Sequence, residues 1–276
     1  MEMRKSERGI PLLFVDEDVE DVASKVIERK IYEDEAFFLC DIRNIKHSVS
    51  LWQQELPEIQ PYYCVRCCSN SVILRTLSSS GVNFACGSKH EIQTLLEMGV
   101  KENRILYEST TKCPSHLKYA EKCGVRLMCS DSAVDMERIR DDKARFDMGV
   151  ISPTDDAFLL TVRNARSVFD LGQQMGFSMT VLNIGGGFPI TSQKNEGFLQ
   201  VSRLIKSALN EHFPSSSELT VIAEPGPFLV ASAFTLATKV VAKKRKVTAL
   251  KGVAFEPDAL LAAECPHVPV PGLIED

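Results

Sequence analysis

The sequence predicts an α/β fold of alternating strands and helices. Between residues 61 and 141, short apolar runs alternate with stretches of helical amphipathic period. Gly81, Gly99 and Gly124 each stand between the end of a helical stretch and the next apolar run. At 276 residues, 44% apolar and 25% charged, the chain can bury a sizeable core in one large domain, or in one domain plus a tail.

Residues 62–65 (YYCV) read as the first strand of this rhythm, and residues 71–80, with Val72, Ile73, Leu74 and Leu77, as its helix. VNFAC (82–86) is the next strand. Ser88 and Glu91 have the spacing of a capping box, Ile92, Leu95 and Leu96 form an i, i+3, i+4 stripe, and Gly99 is the stop signal. RILY (104–107) is strand again. Pro114 suits the first turn of a helix carrying Leu117, Tyr119 and Ala120 and ending at Gly124. VRLMC (125–129) is a strand and residues 131–140 a helix. A polar interruption, RDDKARFDMGVISPTDD, follows. Helical pattern returns over 158–176, then MTVLNIGGGFP (179–189) is a strand running into a glycine loop. Residues 200–213 are helical, and ELTVIAEPG (218–226) is a strand ending on an acid and a turn. Residues 231–241 are apolar without a decisive period. From Lys251, Pro257, Pro266, Pro269 and Pro271 mark an irregular tail.

A formal net charge of −5 leaves no electrostatic footprint for nucleic acid or an anionic membrane. No run of about 18 apolar residues exists, and the N-terminal stretch lacks the apolar core of a signal peptide, so a cytoplasmic protein is expected. Its nine cysteines are then expected to stay reduced.

Three features carry possible chemistry on spacing alone. Gly185, Gly186 and Gly187 follow an apolar strand, where bare backbone N–H groups suit a phosphate, or simply a tight turn. Glu224 ends a strand, where a buried charge needs a partner or a task unless it is solvated. Cys64 and Cys67 form a C-x-x-C pair. A redox pair normally sits at a helix N-terminus, whereas Cys64 lies in the expected strand, and a structural zinc site would need two further ligands that the spacing does not supply. Buried cysteines acting as small hydrophobes are the default, and no metal site is expected.

The segments PYYCVRCCSNSVILRTLSSSGVNFACGSKHEIQTLLEMGV, LNIGGGFP, IAEPG and VASAFTLATKVVAKK together resemble the ornithine decarboxylase and antizyme inhibitor family of pyridoxal-phosphate proteins, from about Ala36 to Lys244. The resemblance implies a parallel (β/α) barrel of the pyridoxal-phosphate-binding decarboxylase type, followed in the family by a C-terminal β domain. The active enzymes are dimers with shared sites, so dimerisation with itself or with a family member is implied. The expected layout is an N-terminal segment (1–35), a barrel (36–246) internally shortened near 138–158, and a tail (247–276), with the C-terminal β domain absent. A full barrel takes about 250 residues. This one is therefore expected to be incomplete or rearranged.

Carried over residue by residue, the resemblance puts Arg66 where the family's enzymes hold the lysine that forms a Schiff base with pyridoxal phosphate. An imine requires a neutral amine, and a guanidinium stays charged. Ala85 stands at a position that is aspartate in the decarboxylases and alanine in an inactive antizyme inhibitor. Pro227 replaces an arginine that would grip the cofactor phosphate. Gly185, Gly186 and Gly187 match the phosphate loop, and Glu224 matches the acid that pairs with the pyridinium nitrogen. The shortened segment removes the histidine expected to stack on the cofactor ring.

The resemblance also implies a partner. Antizyme recognises a surface in the first half of the family's barrel, and here residues 111–140 correspond. They keep Lys112, Lys118, Lys122 and Arg138, although Thr111, Cys113 and Pro114 depart from the family wording. The implied function is a catalytically inactive, ornithine-decarboxylase-like protein that binds antizyme and modulates polyamine synthesis. The alternatives are an amino-acid decarboxylase, for ornithine to putrescine or for another substrate, with a substitute lysine such as Lys89, and a truncated product without function.

Overall fold

The computed structural model describes residues 3–5, 11–13, 18–29, 35–109, 113–130, 145–149, 155–174, 180–190, 195–214, 219–244 and 259–262. The chain divides into two compact units, one of Met1–Asp41 with Phe234–Pro269 and one of Ile42–Ala233 with Val270–Asp276.

Among the described residues the first unit holds three antiparallel pairs. Strand β1 (Met3–Lys5) pairs with β2 (Pro11–Leu13), β3 (Phe37–Cys40) with β11 (Phe234–Ala237), and β12 (Val240–Lys244) with β13 (Ala259–Ala262). Helix α1 spans Val19–Glu28. Setting the unit boundaries at 41/42 and 233/234 rather than near 36 and 246 follows from the β3–β11 ladder, which ties those two strands together. The stretch expected to be an irregular tail contains β13.

The second unit is the barrel. Its strands are β4 (Ile59–Cys64), β5 (Asn83–Cys86), β6 (Ile105–Tyr107), β7 (Leu127–Ser130), β8 (Arg145–Gly149), β9 (Val181–Asn183) and β10 (Thr220–Ala223). All pair parallel to their neighbours in sequence order, and β10 returns to β4, so the sheet closes. Among the described residues the ring has seven strands, fewer than the eight of a full (β/α) barrel. The ring is closed, and β8, within the stretch expected to be shortened, bridges β7 to β9.

Helices α2 (Ile42–Glu55), α3 (Ser71–Ser79), α4 (Lys89–Glu97), α5 (Pro114–Lys122), α6 (Asp155–Gln174), α7 (Glu196–His212) and the short α8 (Gly226–Val230) complete the unit. The expected helix at 131–140 lies outside the described residues. Local chemistry sets several ends. Asn70 Oδ1 accepts from the Val72 N–H at 2.9 Å, and Pro114 opens α5 where no amide hydrogen is needed. Ser88 Oγ accepts from the Glu91 N–H at 3.3 Å, which is half of a capping box. The other half is shifted by one residue, because the Glu91 carboxylate takes the Gly87 N–H at 2.6 Å instead of that of Ser88. Gly81, Gly99 and Gly124 turn the chain from helix to strand at φ of 83°, 84° and 80°, a region that side chains rarely adopt.

Between α2, α7 and α8 the core is aromatic. Trp52 is fully buried, with the rings of Phe188, Phe198 and Phe228 at 4.7, 5.8 and 5.6 Å, and its indole N–H donates to the Ile59 carbonyl at 2.9 Å. Inside the ring, Tyr62, Cys64, Ala85, Leu106 and Ile222 form one packed layer. Trp52 is the sole tryptophan of the chain, so its emission reports on this core. Phe198→Ala is expected to destabilise the protein by about 3–5 kcal/mol in urea unfolding followed by that emission.

Candidate functional site

The C-terminal ends of the barrel strands gather the polar groups. Cys64 closes β4, Glu108 follows β6, Asn183 closes β9 and Glu224 follows β10. Parallel barrels place their chemistry at this end. Glu224 is buried, at 5% exposure, and fully engaged. Its Oε1 accepts from Asn183 Nδ2 at 2.7 Å and its Oε2 from the Cys64 thiol at 3.1 Å, while its N–H donates to the Gly185 carbonyl at 2.7 Å. Asn183 Oδ1 in turn accepts from the Gly185 N–H at 2.9 Å.

Arg66 lies just past β4, in the single 3₁₀ turn Val65–Cys67. Its guanidinium Nη1 meets Glu108 Oε2 at 2.5 Å, with the arginine side chain 55% exposed and the glutamate 7%. Burial works against the arginine's charge, but the charge and hydrogen bond of Glu108 and the charge of Glu224 help to outweigh it and raise its pKa above the ordinary value. Burial and the charge of Glu108 push the Glu224 carboxyl upward, against the hydrogen bonds from Asn183 and Cys64 and the charge of Arg66.

The glycine loop has a structural use. Gly185 and Gly187 adopt φ of 75° and 87°, and a Cβ at Gly186 would stand 2.8 Å from the Glu224 carbonyl oxygen. All three glycines are therefore required by the backbone whether or not a phosphate is held. Ala85 is buried in the interior layer beneath the site, and Pro227 sits half-buried in the first turn of α8, contributing neither charge nor amide hydrogen.

Of the basic residues singled out in the sequence, Lys118 and Lys122 are exposed and four apart on α5, on one helix face. Lys112 and Arg138 lie outside the described residues. Lys89 is exposed at the start of α4, its ammonium 4.8 Å from the centre of the Tyr119 ring on α5. Glu108 and Asn183 escaped the sequence reading. Glu108 carries the signal that picked out Glu224, an acid directly after a barrel strand, and Asn183 precedes the glycine loop. A cavity of about 770 Å³ opens at the opposite, N-terminal end, lined by residues including Tyr62, Arg126 and Thr220, and holds none of these groups.

The family described as "Pyridoxal-dependent decarboxylase, pyridoxal binding domain" matches residues 42–157 and 148–231, two stretches that overlap over 148–157. The chain belongs to that family. It is 32% identical to the ornithine decarboxylase of Mus pahari over 275 residues, and 30% identical to antizyme inhibitor 2 of Xenopus laevis over 257 residues. Those alignments cover 80% and 76% of this chain, but 60% and 56% of the relatives. The chain therefore spans somewhat over half the length of the family members it matches. Among solved structures, the arginine decarboxylase of Paramecium bursaria Chlorella virus superposes with a TM-score of 0.74, and the Entamoeba histolytica ornithine decarboxylase with 0.73. Each is 21% identical and covers 83% of this chain, with 74% and 77% of the respective relative covered. This likeness places the fold among the family's decarboxylase barrels. Among the described residues no helix is long and apolar enough to cross a membrane.

The raised carboxyl of Glu224 has a consequence for stability. A folded-state pKa above the ordinary 4.5 contributes stability that is fully present below that value and lost as pH rises through the folded pKa. Relative to Glu224→Gln, which does not titrate, the wild-type unfolding free energy is expected to fall as pH rises from about 4.5 through the shifted pKa, then to level off. Urea titrations of both proteins across that window measure it.

Proposed function

We propose that this chain is a catalytically silent member of the pyridoxal-dependent decarboxylase family, and that it acts by binding antizyme and so modulates polyamine synthesis. One observation carries the first half: at the end of β4, where the resemblance calls for the imine-forming lysine, Arg66 is paired with Glu108. A guanidinium locked to a buried carboxylate does not release a proton to become a nucleophilic amine. The rest of the site agrees. Glu224 already has donors from Asn183 and Cys64, and Pro227 offers nothing to a phosphate. These residues do not fit a covalently held pyridoxal phosphate, so no step of decarboxylation is derived through it. Lys89 is a poor substitute because its ammonium lies over Tyr119, on the helical layer.

The second half rests on similarity to antizyme inhibitors and on the exposed pair Lys118 and Lys122, which offers positive charge to an acidic partner surface. Two measurements test the reading. Borohydride reduction in the presence of pyridoxal phosphate is expected to leave no phosphopyridoxyl-lysine at any stoichiometric site; a single, fully modified lysine would restore the decarboxylase alternative. In a pull-down, antizyme is expected to bind the wild-type chain and to bind Lys118→Glu/Lys122→Glu at least about tenfold more weakly, as for truncated charge pairs at an interface. Circular dichroism verifies that the variant is folded. No binding by the folded wild type, or undiminished binding by the folded variant, would overturn the partner assignment or its surface.

A further inference from the structure

The C-x-x-C pair has no part in the antizyme reading, and its geometry differs from what a strand through Val65 would give. Strand β4 stops at Cys64, and the chain enters the 3₁₀ turn Val65–Cys67 at once. This turn folds the chain so that Cys67, three residues on, comes back towards the end of β4. Cys64 Sγ lies 3.1 Å from Glu224 Oε2, and Cys67 is near enough to Cys64 to be among the groups that shift its pKa. Gly226 faces both cysteines: a Cβ there would be 3.6 Å from the Cβ of each and 2.4 Å from Cys67 Sγ. Both residues are free thiols, Cys64 buried and Cys67 partly exposed beside the half-exposed Arg66.

We propose that Cys64 and Cys67 form a reversible thiol–disulfide pair at the C-terminal end of the barrel, oxidised by hydrogen peroxide and reduced by a glutathione-class thiol. Their environments divide the roles. The neighbouring Cys64, then the positive charge of Arg66, lowers the Cys67 pKa despite burial and the charge of Glu224. The contact with Cys67, burial and Glu224 raise that of Cys64. Cys67 is accordingly the attacking thiolate and Cys64 the resolving thiol.

In the first step the Cys67 thiolate attacks one peroxide oxygen. An S–O bond forms, the O–O bond breaks, and the departing hydroxide takes a proton from water or buffer, leaving a sulfenic acid. In the second, the Cys64 sulfur attacks Cys67 Sγ. The S–S bond forms, the S–O bond breaks, and hydroxide leaves as water with the Cys64 proton, which Glu224 is placed to relay. The two thiols are oxidised by two electrons and one peroxide is reduced to two waters. Two glutathione thiols reverse the change by exchange, becoming glutathione disulfide.

Trypsin provides a direct readout, because it cleaves after Arg66, between the two cysteines. The native full chain, treated with substoichiometric peroxide and then blocked and digested, is expected to yield the peptide ending at Arg66 disulfide-linked to the peptide beginning at Cys67. The link should persist in Cys68→Ser, vanish in Cys67→Ser, and reverse with glutathione. In Cys64→Ser, Cys67 should instead accumulate as a sulfenic acid that dimedone traps. Arg66→Gln, which keeps both thiols, is expected to slow oxidation about tenfold by weakening the thiolate. A thermal transition verifies folding of each variant. A link that forms only in denatured protein, one that survives in Cys67→Ser through Cys68, or dimedone-labelled Cys67 without a link in the wild type would each overturn the proposal.

Discussion

A carboxylate taken out of water must be satisfied by donors, and the C-terminal end of this barrel is organised around that demand at Glu224. Its donors come from two other strands, Asn183 at the end of β9 and Cys64 at the end of β4, while its own backbone is tied to Gly185. Three chain segments far apart in sequence are thereby fixed at one point, on the side of the ring where β10 closes onto β4. The glycine loop follows from the same contact, since Gly186 passes close enough to the Glu224 carbonyl that a Cβ would collide with it. Conservative retention of an acid and three glycines needs no cofactor to explain it.

The same constraint accounts for Arg66. Glu108 brings a second buried carboxylate to the cluster, and its charge is among the causes that push the Glu224 carboxyl upward. A guanidinium reaching in from the 3₁₀ turn, half in solvent, neutralises Glu108 by a direct bond and lowers the cost of Glu224 at longer range. Arginine serves this purpose better than lysine because it cannot lose its charge and its planar fork suits a carboxylate. The permanent charge that stabilises the acid pair is also what keeps a guanidinium from forming an imine.

Much of this was legible in the sequence where local physics decides. Helices with side-chain caps and glycine stops, such as α3 and α4, stand within a residue or so of the periodic pattern. What depends on partners distant in sequence was not legible. β13 forms only because β12 supplies its ladder, and a proline-marked stretch gives no sign of that. Arg104 belongs to a 3₁₀ turn before β6 rather than to the strand, its guanidinium bonded to the carbonyls of Ser78 and Val82. Within the site, Glu224 could be read from its place after a strand, but its dependence on Asn183 could not. The thiol pair was discounted because Cys64 lies in a strand, as it does; what the sequence did not show is the turn that starts at Val65 and leaves both cysteines facing Gly226.

Barrel and site therefore respond differently to change. Closure of the ring requires parallel neighbours in register, a demand shared by many backbone hydrogen bonds, and the β7–β8–β9 ladders meet it. Imine chemistry requires one amine at one position, and no sum of other contacts replaces it. Family likeness measured over the fold, with TM-scores near 0.74, accordingly says little about whether the reaction survives. The guanidinium of Arg66 at the end of β4 bears on that question, and it also places a positive charge beside Cys67, where a thiolate benefits from it.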